Sequence, residues 1–197
     1  YSKNGEYVLK DISFHVNSGE TIGIIGPTGS GKSTLIKLLP RLYDPDLGEV
    51  MINGINIKEY PIKNLRDLIG FVPQKATLFA GSIEENIRFG KEEATIEDME
   101  KAANSAAASE FINKVDGRFG HELMQGATNL SGGQKQRLSM TRAFIRKPKI
   151  LVLDDSTSAI DAISEVQVQQ ALTHDLPDTT VVIVSSKVFS MINGDRI

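Results

Sequence analysis

Apolar residues fall in three kinds of pattern along this chain. Ile12, Phe14 and Val16 alternate with Asp11, Ser13 and His15, a period of two that predicts a half-buried strand ending at the Asn17-Ser18-Gly19 turn. Elsewhere the runs are short and carry few polar residues. Residues 22–25 and 69–72 read as strands, and the β-branched runs 150–153 and 180–184 are of the kind buried on both faces of a parallel sheet. The third pattern is helical. Leu35, Leu38, Leu39 and Leu42 are spaced by three and four, one apolar stripe on a helix. Asn53-Gly54 marks a hairpin turn. Between about 75 and 130 strand signals vanish, and residues 96–115, rich in Ala and Glu, have helical spacing. A further helix is expected over 135–146. This alternation predicts an α/β fold carrying an inserted helical segment, without internal repeats or low-complexity linkers.

Composition narrows the function classes. A chain of 197 residues, 40% apolar and 24% charged, suffices for one domain with a sizeable core, with room for an inserted subdomain. Its formal net charge is −3 and its acids and bases are interspersed, so the basic footprint of a nucleic-acid binder is missing and no nucleic-acid partner is expected. There is no Cys, which excludes disulfides and thiolate metal sites. No secretory signal opens the chain, and no apolar run approaches the ~18 residues of a membrane span.

Three motifs carry chemistry. Gly26-Pro27-Thr28-Gly29-Ser30-Gly31-Lys32-Ser33 fits G-x-x-x-x-G-K-[ST] and stands after an apolar strand and before a helix. Its glycines let backbone N–H groups wrap a phosphate, Lys32 reaches the outer phosphates, and Ser33 can ligate Mg²⁺. The second motif is the apolar run 150–153 followed by Asp154 and Asp155. A buried strand delivers Asp154 to its C-terminal end as a metal ligand, while Asp155 suits either a water-orienting carboxylate or a plain turn residue. The third is Leu130-Ser131-Gly132-Gly133-Gln134 ahead of a helix. It is either a second anion-binding helix start or an ordinary N-cap and turn. One nucleotide hardly needs both.

In this order and at these separations, residues 26–33, Gln74, residues 130–134 and Asp154 resemble the nucleotide-binding domain of ABC transporters, over essentially the whole chain. Val72-Pro73-Gln74, Leu78-Phe79, Gly81-Ser82-Ile83 and Glu85-Asn86-Ile87 resemble the exporter subclass whose membrane helices share the polypeptide. The resemblance implies a P-loop NTPase core with a mixed, mostly parallel sheet flanked by helices, an antiparallel β subdomain and an inserted helical subdomain. Residues 1–74 would form the N-terminal part of the core with the β subdomain and Walker A loop, 75–145 the helical subdomain ending in the signature helix, and 146–197 the C-terminal part with Walker B. The chain reads as a trimmed fragment of a longer membrane protein, lying at the cytoplasmic face of the cell membrane.

The same resemblance implies roles. ATP would be held by Thr28, Gly29, Ser30, Gly31, Lys32, Ser33 and Thr34, with Tyr1 stacking on adenine. Mg²⁺ would be held by Ser33, Gln74 and Asp154, and Gln74 would link it to the transmembrane part. Two such domains would close head to tail, so that Ser131, Gly132, Gly133 and Gln134 complete the ATP site of the partner. Two catalytic positions depart from the family. Asp155 stands where Glu is usual, and Ser186 where the switch His is expected. An intact Ser131–Gln134 segment beside altered Asp155 and Ser186 implies a heterodimer with a different, more complete chain. Three functions follow: an export ATPase domain whose own site is slow, a non-hydrolysing ATP-binding module that glues a heterodimer, and a soluble ABC protein acting in DNA repair or on ribosomes, which residues 79–87 and the absence of basic clusters argue against.

Overall fold

The computed structural model describes residues 7–197; Tyr1 lies outside them. In chain order, β1 (Thr21–Ile24) leads through a loop into α1 (Lys32–Lys37), followed by β2 (Met51–Ile52), β3 (Ile55–Asn56), α2 (Ile62–Asp67) and β4 (Ile69–Val72). The next stretch holds β5 (Gly81–Ser82), α3 (Ile83–Arg88), α4 (Ile96–Ser105), α5 (Ser109–Lys114) and β6 (Glu122–Leu123). The chain then runs through α6 (Gly132–Phe144), β7 (Ile150–Asp154), α7 (Ala162–His174) and β8 (Thr180–Val184). The fold is the α/β architecture expected from the sequence.

The main sheet has the order β1-β8-β7-β4 and is parallel throughout. Among the described residues antiparallel pairing is confined to two small ladders. One is the hairpin β2–β3, whose turn residues Asn53 and Gly54 both take positive φ (52° and 77°), as a tight two-residue hairpin requires. The other joins β5 to β6 inside the region read as wholly helical, a two-residue ladder too short to leave a periodic signal.

Although the sheet strands are almost uniformly apolar, their alternation still sorts two cores. Val152, Val182, Val184, Ile22 and Ile69 pack with Ile36 of α1, Leu65 of α2 and Ile52 of β2. Their neighbours Leu151, Leu153, Val181, Ile183 and Val72 face the other way, against Leu138, Met140 and Phe144 of α6, Val168 and Leu172 of α7, and the apolar faces of α3, α4 and α5. Buried on both faces, the sheet needs the continuous apolar runs that the sequence shows.

Three elements differ from expectation. Residues 12–16 form no strand: Ile12 and Phe14 are exposed, and no other described strand pairs with them, so the alternating pattern has no ladder to join. The 96–115 segment is two helices, because Ala107 turns to φ 54° and its carbonyl accepts from Arg137 Nη1 at 3.1 Å. Tertiary hydrogen bonding here overrides good local propensity. In α1 the fully buried residue is Ile36 rather than the leucines, and Leu42 is exposed beyond the helix end. No described helix is long and apolar enough to cross a membrane.

The helical segment meets the core at a close backbone contact. A Cβ added to Gly90, just after α3, would lie 2.1 Å from the Arg142 carbonyl oxygen of α6 and 2.9 Å from Ile145 Cγ2. Around Gly120 nothing lies within 4 Å. In denaturant melts, Gly90→Ala is expected to lose about 1–3 kcal/mol from overpacking, while Gly120→Ala stays within about 0.5 kcal/mol of the parent.

Candidate functional site

The site forms where the strands of the main sheet end. Asp154 is the last residue of β7 and shares the face of residues 150 and 152, the face that packs α1. That places its carboxylate against the first turn of α1, where Ser33 Oγ donates to Asp154 Oδ1 at 2.9 Å. Residues 121 positions apart in sequence are thus joined directly. Asp154 is 4% exposed, and burial pushes its carboxyl above the ordinary range. The Ser33 hydrogen bond and the charge of Lys37 oppose that rise, and the neighbouring charge of Asp155 adds to it.

The loop before α1 is built to surround an anion. Gly29 and Gly31 take φ of 85° and 91°, conformations an L side chain would strain. Gly31 is the N-cap of α1 and brings no side chain to its first-turn amides, so those amides face an incoming anion uncapped. Thr28, Gly29 and Ser30 are exposed, leaving the loop open to solution. Lys32 curls back over the loop, its Nζ donating to the carbonyls of Gly26 at 2.7 Å and Pro27 at 2.8 Å.

Gln74 and Asp155 stand on the opposite wall. Gln74 follows β4, and its Nε2 donates to Asp155 Oδ2 at 3.2 Å. The other oxygen, Asp155 Oδ1, is buried without a hydrogen-bond partner. Asp155 itself sits at φ 46°, and its N–H donates to the Val184 carbonyl at 2.7 Å. An acceptor buried without a donor is costly, so this oxygen suits a donor brought by a ligand or water. Ser186, two residues beyond β8, is exposed. Its hydroxyl makes no hydrogen bond among the described residues.

Lys32, Ser33, Asp154, Asp155 and Gln74 are therefore brought together, while Ser131–Gln134 are not part of the cluster. Ser131 and Gln134 form a capping box, Ser131 Oγ accepting from Gln134 N at 3.3 Å and Gln134 Oε1 from Ser131 N at 2.8 Å. A Cβ on Gly133 would lie 3.0 Å from the Ala159 carbonyl, so this helix start abuts the loop that follows Asp155. One contributor escaped the sequence reading. Gln136, 2% exposed, donates to the Pro73 carbonyl at 2.9 Å and anchors the backbone just before Gln74. Its only signal is a polar residue on the stripe formed with Met140, Ala143 and Phe144.

The donor set suits a hard cation with few protein ligands. Among the described residues no group of three or more His, Asp or Glu side chains gathers. One carboxylate and one hydroxyl 2.9 Å apart fit Mg²⁺, which binds through one or two protein oxygens and keeps waters and phosphate oxygens as its other ligands.

Comparison with known proteins gives a consistent family. The profile of the ABC transporter family matches residues 9–158. The chain is 45% identical over 192 residues to ABC transporter B family member 21 of Arabidopsis thaliana, covering 98% of this chain and 15% of that protein. It is 40% identical over all 197 residues to the putative multidrug export ATP-binding/permease protein YgaD of Bacillus subtilis, covering 34% of it. A solved structure of a bacterial Atm1-family ABC exporter with ATP bound superposes with a TM-score of 0.95 at 32% identity, covering 99% of this chain and 34% of that one. The chain thus spans about a third or less of the length of these relatives.

Two substitutions test the cluster. Lys32→Ala should weaken ATP binding at least about 100-fold, since a triphosphate loses its principal cation. Micromolar binding retained in a titration of that variant would remove Lys32 from the site. Asp154→Asn should still bind nucleotide measurably but with an affinity largely indifferent to added Mg²⁺, because a neutral amide no longer supports the ion. An unchanged Mg²⁺ dependence would locate the metal elsewhere.

Proposed function

This chain belongs to the ABC transporter family, and we propose that it is the ATP-binding and ATP-hydrolysing domain of an exporter, driving transport by closing on ATP against a second such domain. The observation that carries this reading is the Ser33–Asp154 contact at 2.9 Å, which unites the phosphate loop with the strand-end carboxylate. In this reading the loop amides and Lys32 bind the phosphates, Lys32 exchanging the carbonyls of Gly26 and Pro27 for phosphate oxygens. Ser33 and Asp154 hold Mg²⁺, with Gln74 reaching it from the opposite wall. Bound there, the ion neutralises charge that develops on the phosphates. Asp155 Oδ1, the buried acceptor without a partner, orients the attacking water. Thr28, Gly29, Ser30 and Thr34 complete the cradle, and Tyr1 would stack on the base.

We assign the membrane contact to a cleft on the other side of β4. It measures about 300 Å³ and is lined by Phe71, Phe79, Phe89, Ser139, Arg142 and Arg146 among others. Phe79 and Phe89 pack with ring centroids 4.8 Å apart and both stay exposed. Ser139 Oγ and Arg146 Nε are buried there without partners. Arg142 has no carboxylate among the described residues within ion-pair distance, and burial lowers its pKa from the ordinary value. An apolar rim over unsatisfied donors suits a partner segment presenting an apolar anchor and carbonyl or carboxylate oxygens. The occupant we propose is the transmembrane part of the same polypeptide, in keeping with relatives about three times longer or more. The domain would then lie at the cytoplasmic face of the membrane.

A second reading, a non-hydrolysing ATP module, draws on two observations. Asp155 is about 1 Å shorter than the Glu usual in the family, and a misplacement of that size can cost on the order of 100-fold in rate. Ser186 is exposed and cannot supply an imidazole. Both readings meet in an asymmetric pair. This chain's altered Asp155 and Ser186 line one site, while its intact Ser131–Gln134 helix start completes the site of a different partner chain.

In the purified full-length transporter, removing the partner's corresponding carboxylate should stop ATP turnover, whereas Asp155→Asn here should slow it only partly. Rapid hydrolysis by a homodimer of this chain would overturn the asymmetry. Absence of turnover that depends on either carboxylate would favour the non-hydrolysing module.

A further inference from the structure

Four buried polar side chains form a second cluster behind the phosphate site. Glu165 of α7 and Ser190, in the 3-10 turn Val188–Met191, are each 3% exposed; Thr157 is 5% exposed and Ser185 1%. Ser190 is the hub. Its hydroxyl donates to Glu165 Oε1, lies 3.0 Å from Thr157 Oγ1, and accepts from Ser185 Oγ at 3.3 Å. Ser185 Oγ in turn accepts from the Lys187 N–H at 3.0 Å, so the backbone on both sides of Ser186 is tied down.

Hydrogen-bond inventory fixes the direction of this network. Ser190 donates to Glu165 Oε1, and a hydroxyl has one proton and two lone pairs. Ser190 therefore gives its proton to Glu165, and its two lone pairs receive Thr157 and Ser185. The hub is saturated. Glu165 has no cation within ion-pair distance among the described residues, and a carboxylate held out of water without one is expensive unless hydrogen-bonded. Glu165 also lies in the first turn of α7, where the helix dipole favours a carboxylate.

The three elements it joins explain its place. Thr157 lies two residues beyond Asp155, and Ser185 immediately precedes Ser186. We propose that Glu165, acting through Ser190, is a positioning residue that holds the loops after β7 and β8 in register, and so sets where Asp155 and Ser186 meet the terminal phosphate of ATP. This rests on the nucleotide-binding reading above. Since that reading sets Asp155 and Ser186 at the terminal phosphate, the network should affect ATP more than ADP, whose phosphates are gripped by the loop before α1.

The test measures Kd for ADP and for the non-hydrolysable β,γ-imido analogue of ATP, with Mg²⁺, at this chain's site in the full-length transporter. Ser190→Ala, which cuts all three contacts at once, should weaken the ATP analogue about tenfold and leave ADP within about twofold. Ser190→Thr keeps a hydroxyl and should restore the wild-type ratio. Should Ser190→Ala fail to fold, Thr157→Val removes one contact at nearly constant volume, with an expected loss of about threefold for the ATP analogue alone. Equal weakening of both nucleotides, no weakening of either, or failure of Ser190→Thr to rescue would overturn the inference. A wild-type protein that binds neither nucleotide would instead overturn the functional reading on which it rests.

Discussion

Parallel pairing in a single register is the constraint from which the site follows. Ile24 pairs with Val184, and Val184 with Asp154, so these three residues stand in one row across β1, β8 and β7. Val72 pairs with Leu153, one step short of that row. Each strand therefore leaves the sheet at the same edge and nearly the same level. From that edge run the phosphate loop, the segment beginning at Asp155, the segment through Ser185 and Ser186, and the segment bearing Gln74. Ligands in open α/β sheets gather at the carboxyl ends of the strands for this reason, and a one-residue slip would turn Asp154 away from Ser33.

The helical side contributes by a different route. No hydrogen bond joins Ser131–Gln134 to the phosphate loop. Instead α6 reaches the site through Gln136, which holds the Pro73 carbonyl at 2.9 Å just before Gln74, and through Gly133, pressed against Ala159 in the loop that follows Asp155. One helix thus touches two of the four loops at the sheet edge while presenting its capped N-terminus outward. Movement of α6 would be felt at Gln74 and beyond Asp155 together, through one side-chain hydrogen bond and one close backbone contact.

Much of this was legible in the residues because the main determinants are local or strongly periodic. The sheet strands announce themselves as apolar runs, Asn53-Gly54 as a turn, and residues 26–33 as a loop set between strand and helix. What was not legible depends on distant partners. The pattern at Ile12, Phe14 and Val16 is a good strand signal that finds no ladder among the described residues, and the break at Ala107 comes from Arg137, which lies 30 positions away in sequence. Site side chains in recognisable motifs could be named beforehand. Gln136, Glu165 and Ser190 could not, because a buried polar residue on a helix or turn looks like an exposed one until its neighbours are known.

The charge pattern of the cluster gives a physical reason for a divalent cation. Asp154 and Asp155 are adjacent in sequence and both lie at the sheet edge, and burial together with this neighbouring charge raises the Asp154 carboxyl. Lys32, the nearest cation of the phosphate loop, turns its ammonium to backbone carbonyls instead of to either acid. A triphosphate entering such a site meets a favourable helix start on one side and two carboxylates on the other. Without a cation the phosphates and Asp154 would repel at short range in a partly desolvated setting, where such repulsion is weakly screened. In the proposed reading, Asp154, Ser33 and the phosphate oxygens would share such a cation, and its charge would relieve that repulsion. The carboxylate that by itself would oppose phosphate binding is thus, in that reading, the group that would make binding depend on the metal, and it lies 2.9 Å from the Ser33 hydroxyl that would share the ion.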